Sequence, residues 1–214
     1  MNKPRSGSSV RTRFVAAALL VATAMVLSAC APTATPRAEA KVAVMNGPAQ
    51  SALQGSAEAV QQELEKDPER GFSLVSAFTM RFLESHTDLF HSRAAASAAR
   101  IARSEGADLA VMIGAPVLER QVTLSADEAS RRIDVSVALE AQVVDASTDA
   151  IVQTLRTRTQ QGSRVEANDL PLPDPDEDPT VVALMQVAAP ELSFSLLAEL
   201  PYLIRQLLIG SNGG

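Results

Sequence analysis

Hydrophobic and polar positions follow two different periods along this chain. Over residues 131–144 apolar side chains occupy every second position, Ile133, Val135, Val137, Leu139, Ala141 and Val143, with Asp134, Ser136, Glu140 and Gln142 between them. That period of two predicts a strand with one buried and one wet face. After a turn at 145–149 the chain returns over 151–159, so the two segments predict a long antiparallel hairpin. Residues 108–113 are apolar without alternation, which predicts a strand buried on both faces near the sheet centre, and Gly114 and Pro116 mark a bulge or bend after it. Residues 41–45 predict a short strand ended by the turn at 46–48. Residues 72–78 predict another, with Phe72, Leu74 and Phe78 on one face.

Elsewhere the spacing is helical. Leu53, Ala57, Val60 and Leu64 recur on one face of a helix over 51–66, stopped by Asp67, Pro68 and Gly71. A second helix runs from a Ser92 cap to Arg103 and is closed by Gly106. Its Ala95, Ala98, Ala99 and Ala102 form a small-residue surface that can lie close on a sheet. Residues 79–90 carry a further helical stretch. Residues 170–179, LPLPDPDEDP, predict an exposed irregular loop. Residues 180–209 predict a mostly apolar helix interrupted by Pro190 and Pro201. The order β-α-β-α-β-β-β-α describes one α/β domain with a mixed parallel and antiparallel sheet over 41–210, followed by a tail, 211–214, expected to lack structure.

The first 40 residues follow neither period. Lys3, Arg5, Arg11 and Arg13, with no acid among them, precede an uncharged run at 14–27. This is the layout of a secretory signal peptide, and the run is short for a membrane span. It ends in Leu27-Ser28-Ala29-Cys30, which resembles the bacterial lipobox at all four positions. The resemblance implies that residues 1–29 are removed and that Cys30, acylated, becomes the first residue. Cys30 is the only cysteine, so it has no internal disulfide to make. Two or more acyl chains, at about 0.8 kcal/mol per buried methylene, would hold the protein on a membrane durably. Residues 31–40 are rich in Pro, Ala and Thr and read as a tether with a reach of about 30 Å. Ala31 rather than Asp follows the cysteine. By the family sorting pattern, that implies the outer membrane, facing the periplasm, in a diderm host.

Cleavage before Cys30 leaves 185 residues, with 15 basic against 25 acidic side chains and a net charge of −10. So acidic a chain, without a Lys/Arg run, argues against a nucleic-acid partner. With no Trp and Tyr202 as the lone tyrosine, aromatic platforms for sugars or bases are scarce.

Gly106-Ala107-Asp108 leading a buried strand, then Val143-Val144-Asp145-Ala146-Ser147-Thr148 at a hairpin turn, then a long Ala/Leu helix, resemble CsgG/LpoB-type envelope lipoproteins. That group includes the curli-secretion lipoprotein, penicillin-binding-protein activators and the amino-terminal domain of TolB. Asp149 stands where the group has Gly, and can also take a left-handed turn position. The resemblance implies a non-enzymatic domain that touches another envelope protein, with homo-oligomers within its range. It supplies no catalytic residue. The curli relative implies an alternative, a channel subunit, which needs lipid-facing strands of about 9–11 residues. Residues 119–132 and 160–180 read as too short and polar for these. A small-ligand-binding periplasmic domain is the other alternative.

Candidate chemistry is sparse. His86 and His91 are five apart, point different ways on a helix and have no Cys or third His for zinc. Gly71-Phe72-Ser73 opens like a nucleophile elbow, but Val75 stands where glycine is required. Asp174, Asp176 and Asp178 alternate like the first ligands of a calcium loop, yet Pro179 replaces the needed glycine and Met185 the bidentate Glu. A solvated acidic loop is the expectation, with no metal and no cofactor. Residues 192–209 are apolar enough to suggest membrane insertion, against which stand Glu191, Glu199, Arg205 and two prolines. Core packing is expected for that helix, with self-assembly or a place at the lipid interface as its alternatives.

Overall fold

The computed structural model describes residues 39–47, 55–86 and 94–210. The signal segment, Leu27, Ser28, Ala29, Cys30, Leu53, His91, Ser92 and the tail 211–214 lie outside the described residues. In chain order the described elements are β1 (Lys41–Asn46), α1 (Ser56–Glu65), β2 (Ser73–Leu74), α2 (Ala77–His86), α3 (Ala94–Ser104), β3 (Leu109–Leu124), β4 (Ser130–Asp145), β5 (Ile151–Arg156), β6 (Gln160–Ala167) and α4 (Pro179–Gly210). One sheet runs β2-β1-β3-β4-β5, with β6 also paired to β4. Strand β1 lies parallel to β2 and β3, and the other pairings are antiparallel. The α/β class and the mixed sheet are as the pattern predicts.

The unalternating run becomes the middle strand, with Leu109, Ala110, Val111 and Ile113 fully buried. Its bulge falls where Gly114 and Pro116 predict it, as a register shift between Gly114 and Val117. The even-spaced set of β4 from Ile133 to Val143 is buried as one face. On one side of the sheet α1 and α4 close a core through Val60, Leu64, Leu192 and Leu196. On the other, α3 lays Ala98, Ala99 and Ala102 close on Ala110 and Met112. Helix α3 stops at Gly106, whose φ of 66° suits glycine, with Ala107 N–H donating to Ala102 O at 2.8 Å.

Five expectations need correction. The strand over 72–78 shrinks to two residues, because Ser76 caps a helix: its Oγ accepts from Thr79 N–H at 3.2 Å and its carbonyl from Met80 N–H at 3.1 Å. Phe72 stays buried, but Phe78 turns outward on α2 and is 81% exposed. Residues 119–132 and 160–180 are not short polar connections. Strand β3 runs on to Leu124, and β6 pairs Gln160 to Ala167 with β4. Part of their polar set stands on the sheet face away from α4, where Gln121 and Ser163, with Asp134 and Ser136 of β4, line an open groove. The return strand breaks at Thr157, whose hydroxyl accepts from Leu139 N–H at 3.0 Å while its own N–H donates to Leu139 O, and it resumes as β6. Helix α4 passes through Pro190 and Pro201 without interruption. Pro190 and Gln186, the residue whose carbonyl loses its partner to the proline, are both exposed. Finally, Asp178 does not belong to a solvated loop, since it is fully buried.

Candidate functional site

The two motifs of the sequence meet at one end of the sheet. Gly106 turns the chain so that Asp108 opens β3 beside β1. Asp108 N–H donates to Lys41 O at 2.8 Å, and Lys41 N–H donates back to Asp108 Oδ2 at 2.9 Å. Lys41 Nζ donates to Glu105 O at 2.7 Å, a carbonyl at the end of α3 where a cation is favoured. From the neighbouring turn, Ala146 N–H donates to Asp108 O at 3.0 Å. Asp145 organises that turn. Its Oδ1 accepts from Ser147 N–H and Ser147 Oγ, and its Oδ2 from Thr148 Oγ1, each at 2.8 Å. Asp149 takes the left-handed position at φ 61°, as the sequence allows. Arg103 joins the turn to α3 by donating to Ala146 O and, at 2.6 Å, to Asp149 Oδ1.

These groups rim a cleft of about 290 Å³ whose apolar wall includes Ala40, Ala107, Ile204 and Leu207. Burial pushes the Asp145 carboxyl up, but hydrogen bonds from Ser147 and Thr148 outweigh it and hold it below the usual carboxylate range. Asp145 is therefore an anion at neutral pH with both oxygens engaged, while Asp108 accepts from Lys41 N–H through Oδ2. In this geometry they fix the turn. Replacing Asp145 with alanine is expected to cost about 2 kcal/mol, read as a lower urea midpoint at unchanged slope.

A second charged cluster sits at the start of α4. Asp178 caps the helix, its Oδ1 accepting from Thr180 N–H at 2.9 Å and Val181 N–H at 3.4 Å, with Pro179 as the first helical residue. Arg164 Nη1 donates to the same oxygen and to Thr180 Oγ1. Arg164 Nε also donates to Glu166, which Arg131 grips from β4. Arg120 Nη1 lies 3.6 Å from Asp178 Oδ2. Hydrogen bonds from Arg131 and Arg164 hold the Glu166 carboxyl below its ordinary range. At Asp178 burial pushes up, and Arg164 together with the helix amides more than reverses it. Arg120 and Arg131 further donate to Pro173 O and Leu170 O, fastening the Pro/acid loop to the sheet. Asp174 and Asp176 are exposed and do not join Asp178 in a ligand set. Among the described residues no group of three or more His, Cys, Asp or Glu is placed to hold a metal.

Ser73 starts β2 and its Oγ donates to Ala40 O at 3.3 Å, a structural bond. His86 ends α2. The lipobox residues and Cys30 lie outside the described residues. Two features have no counterpart in the sequence reading. One is Arg103 as the clamp between the motifs. The other is the five-residue charge cluster, whose members are spread from 120 to 178. A hint existed in Arg131, Arg164 and Glu166, charged residues at positions where the alternation calls for an inward side chain.

No protein-family model matches the chain, and no curated protein matches it. Among solved structures, similarity extends to lipoprotein GNA1162 of Neisseria meningitidis, at 13% identity and a TM-score of 0.34 over 80% of this chain and 99% of that one. It extends also to the PelC dodecamer of Paraburkholderia phytofirmans, at 12% and 0.34 over 72% and 83%. A minor lipoprotein of Acinetobacter baumannii is similar at 11% and 0.32 over 75% and 90%. Scores this low describe a partial overlap of backbones and carry no functional inference.

Proposed function

We propose that the chain is a lipid-anchored protein of the bacterial cell envelope whose α/β domain acts by docking onto another envelope protein, without catalysis. One observation carries the reading: Leu27-Ser28-Ala29-Cys30 follows a basic head and a short uncharged run, three features that together specify lipoprotein processing. The domain supports the second half. Its motif residues are held in structural bonds, Asp108 from Lys41 N–H, Asp145 from Ser147 and Thr148, and Arg103 to Ala146 O and Asp149, and its sheet face of Gln121, Asp134, Ser136 and Ser163 offers a polar surface for contact. The motifs at 106–108 and 143–148 support membership of the CsgG/LpoB group. Ala31 supports an outer-membrane position facing the periplasm.

Intact-mass analysis of the membrane-extracted protein tests the anchor. The expected species begins at Cys30 and carries acyl chains, and Cys30→Ser yields no acylated form while keeping the circular dichroism and melting temperature of the parent. A free thiol at Cys30, or an amino terminus elsewhere, would refute it. Crosslinking in native membranes tests the docking role, with a secretion component or a peptidoglycan synthase as the expected class of capture.

A further inference from the structure

We infer that the outward face of α4 rests on the lipid surface to which Cys30 tethers the chain, lying along the bilayer boundary rather than crossing it. The inference rests on the anchoring proposed above and adds which face of the domain meets the membrane.

Helix α4 is apolar on both sides, and only one side needs to be. Leu192, Leu196 and Leu200 are fully buried against the sheet and α1, which accounts for their character. The opposite side carries Val187, Phe194, Tyr202 and Ile209, which are 54, 76, 55 and 74% exposed. Steps of seven, eight and seven residues keep them within a quarter-turn of one line, about 33 Å long at 1.5 Å per residue. Arg205 shares that line and Ala198 sits within it. Glu191 also falls within it by this spacing, but its carboxylate is engaged with the sheet side, where it accepts from Arg158 N–H and Gln160 Nε2. Length and composition alone would let the helix span a bilayer, but 44% of its most apolar stretch is buried inside the domain, so it can offer lipid only one side.

Geometry favours a lipid surface over a second copy. A helix–helix seam needs apolar residues at alternating steps of three and four so that knobs meet holes. Here one large side chain appears every second turn, with Pro190, Ala198 and Pro201 between. A bilayer boundary has no such register. It takes Phe, Tyr and Ile into the headgroup–acyl region while Arg205 reaches toward phosphates. The chain outside the described residues fits the same arrangement. Nine residues separate Cys30 from Ala40, and Ala40 shares the cleft wall with Ile204 and Leu207 near the end of α4. The tether reaches at most about 35 Å, and a helix is only about 10 Å across. The stripe is therefore within reach of the anchored bilayer.

The absence of tryptophan from the sequence makes the test direct. Phe194→Trp, Tyr202→Trp and, on the other side of the sheet, Phe78→Trp are made singly in the full lipidated chain and incorporated into phosphatidylcholine vesicles. The first two are expected to shift their emission to the blue and to lose intensity when the lipid chains are brominated, at low and high salt alike. Phe78→Trp is expected to do neither. Equal quenching at Phe78→Trp and Phe194→Trp in protein of verified acylation would overturn the inference. So would a blue shift that follows protein concentration without quenching, which assigns the face to a second copy. Should the mass analysis find no acyl chains, the same variants with added vesicles still decide: selective quenching at α4 supports the lipid face, and its absence ends it.

Discussion

Replacing Asp178 with alanine is expected to lower the unfolding free energy by about 3 kcal/mol at neutral pH, more than a surface charge normally contributes. Two losses combine. The first turn of α4 loses the acceptor for Thr180 and Val181 N–H, a cap worth about 1 kcal/mol. Arg164, whose side chain is only 17% exposed, keeps Glu166 but loses its other anion. Leaving part of a buried charge unmatched supplies the larger share. Asp178→Asn is expected to fall between, since the amide oxygen can still cap the helix but carries no charge. Urea denaturation at pH 7 measures both, and a loss below about 1 kcal/mol for Asp178→Ala would show that the cluster does not hold the α4 start.

Acid sensitivity follows from the same cluster. The folded-state carboxyls of Asp178 and Glu166 both titrate below their ordinary range. A depressed carboxyl contributes stability that is complete above the unfolded pKa, near 4, and disappears as pH falls through the folded value. The parent should thus be flat in stability above about pH 5 and lose it steeply toward pH 3. Asp178→Ala should show a shallower acid slope, because one of the protons taken up on unfolding is gone. Identical slopes for the two proteins would contradict the assignment of Asp178 as an anchored anion.

Legibility in the sequence tracked the physics that writes each element. Strand β4 was readable because one face must be dry and the other wet, and β3 up to Ile113 because both faces must be dry. The bulge at Gly114 and Pro116 announced itself through residues that break a ladder. What escaped was structure held by pairing rather than by burial. The second half of β3 and all of β6 are polar on one face, and their inward positions hold Arg120, Arg164 and Glu166, charges that are tolerable only because they meet Arg131 and Asp178 from elsewhere in the chain. Local hydropathy carries no trace of a partner forty residues away. The helical stretch from 79 was readable, and only the start of α2 at Ala77 escaped, for a smaller reason. Ser76 reads equally well within a strand or as a cap, and only its bonds to the following turn decide. The cleft was half legible: the two motifs were visible, but not that Arg103 would bind one to the other.

Leu196→Ala is expected to cost about 3–4 kcal/mol, whereas Phe194→Ala, two residues away on the same helix, should change stability by less than about 0.5 kcal/mol. Leu196 is fully buried between the sheet and α1, so its removal forfeits transfer free energy and leaves a void that neighbours such as Leu192 and Leu200 cannot collapse into without leaving their own sites. Phe194 faces outward, and truncating it opens no void. Thermal and urea unfolding of the two variants in detergent-free buffer measure the contrast. It also separates two reasons for an apolar side chain that composition cannot tell apart, since Leu and Phe read alike on any hydropathy scale. An inward residue is retained for the fold and its loss appears in solution. An outward one leaves the fold indifferent, and its removal registers only where a surface waits to receive it. Comparable losses for both variants would mean that Phe194 packs inside the domain, and the stripe along α4 would then be core.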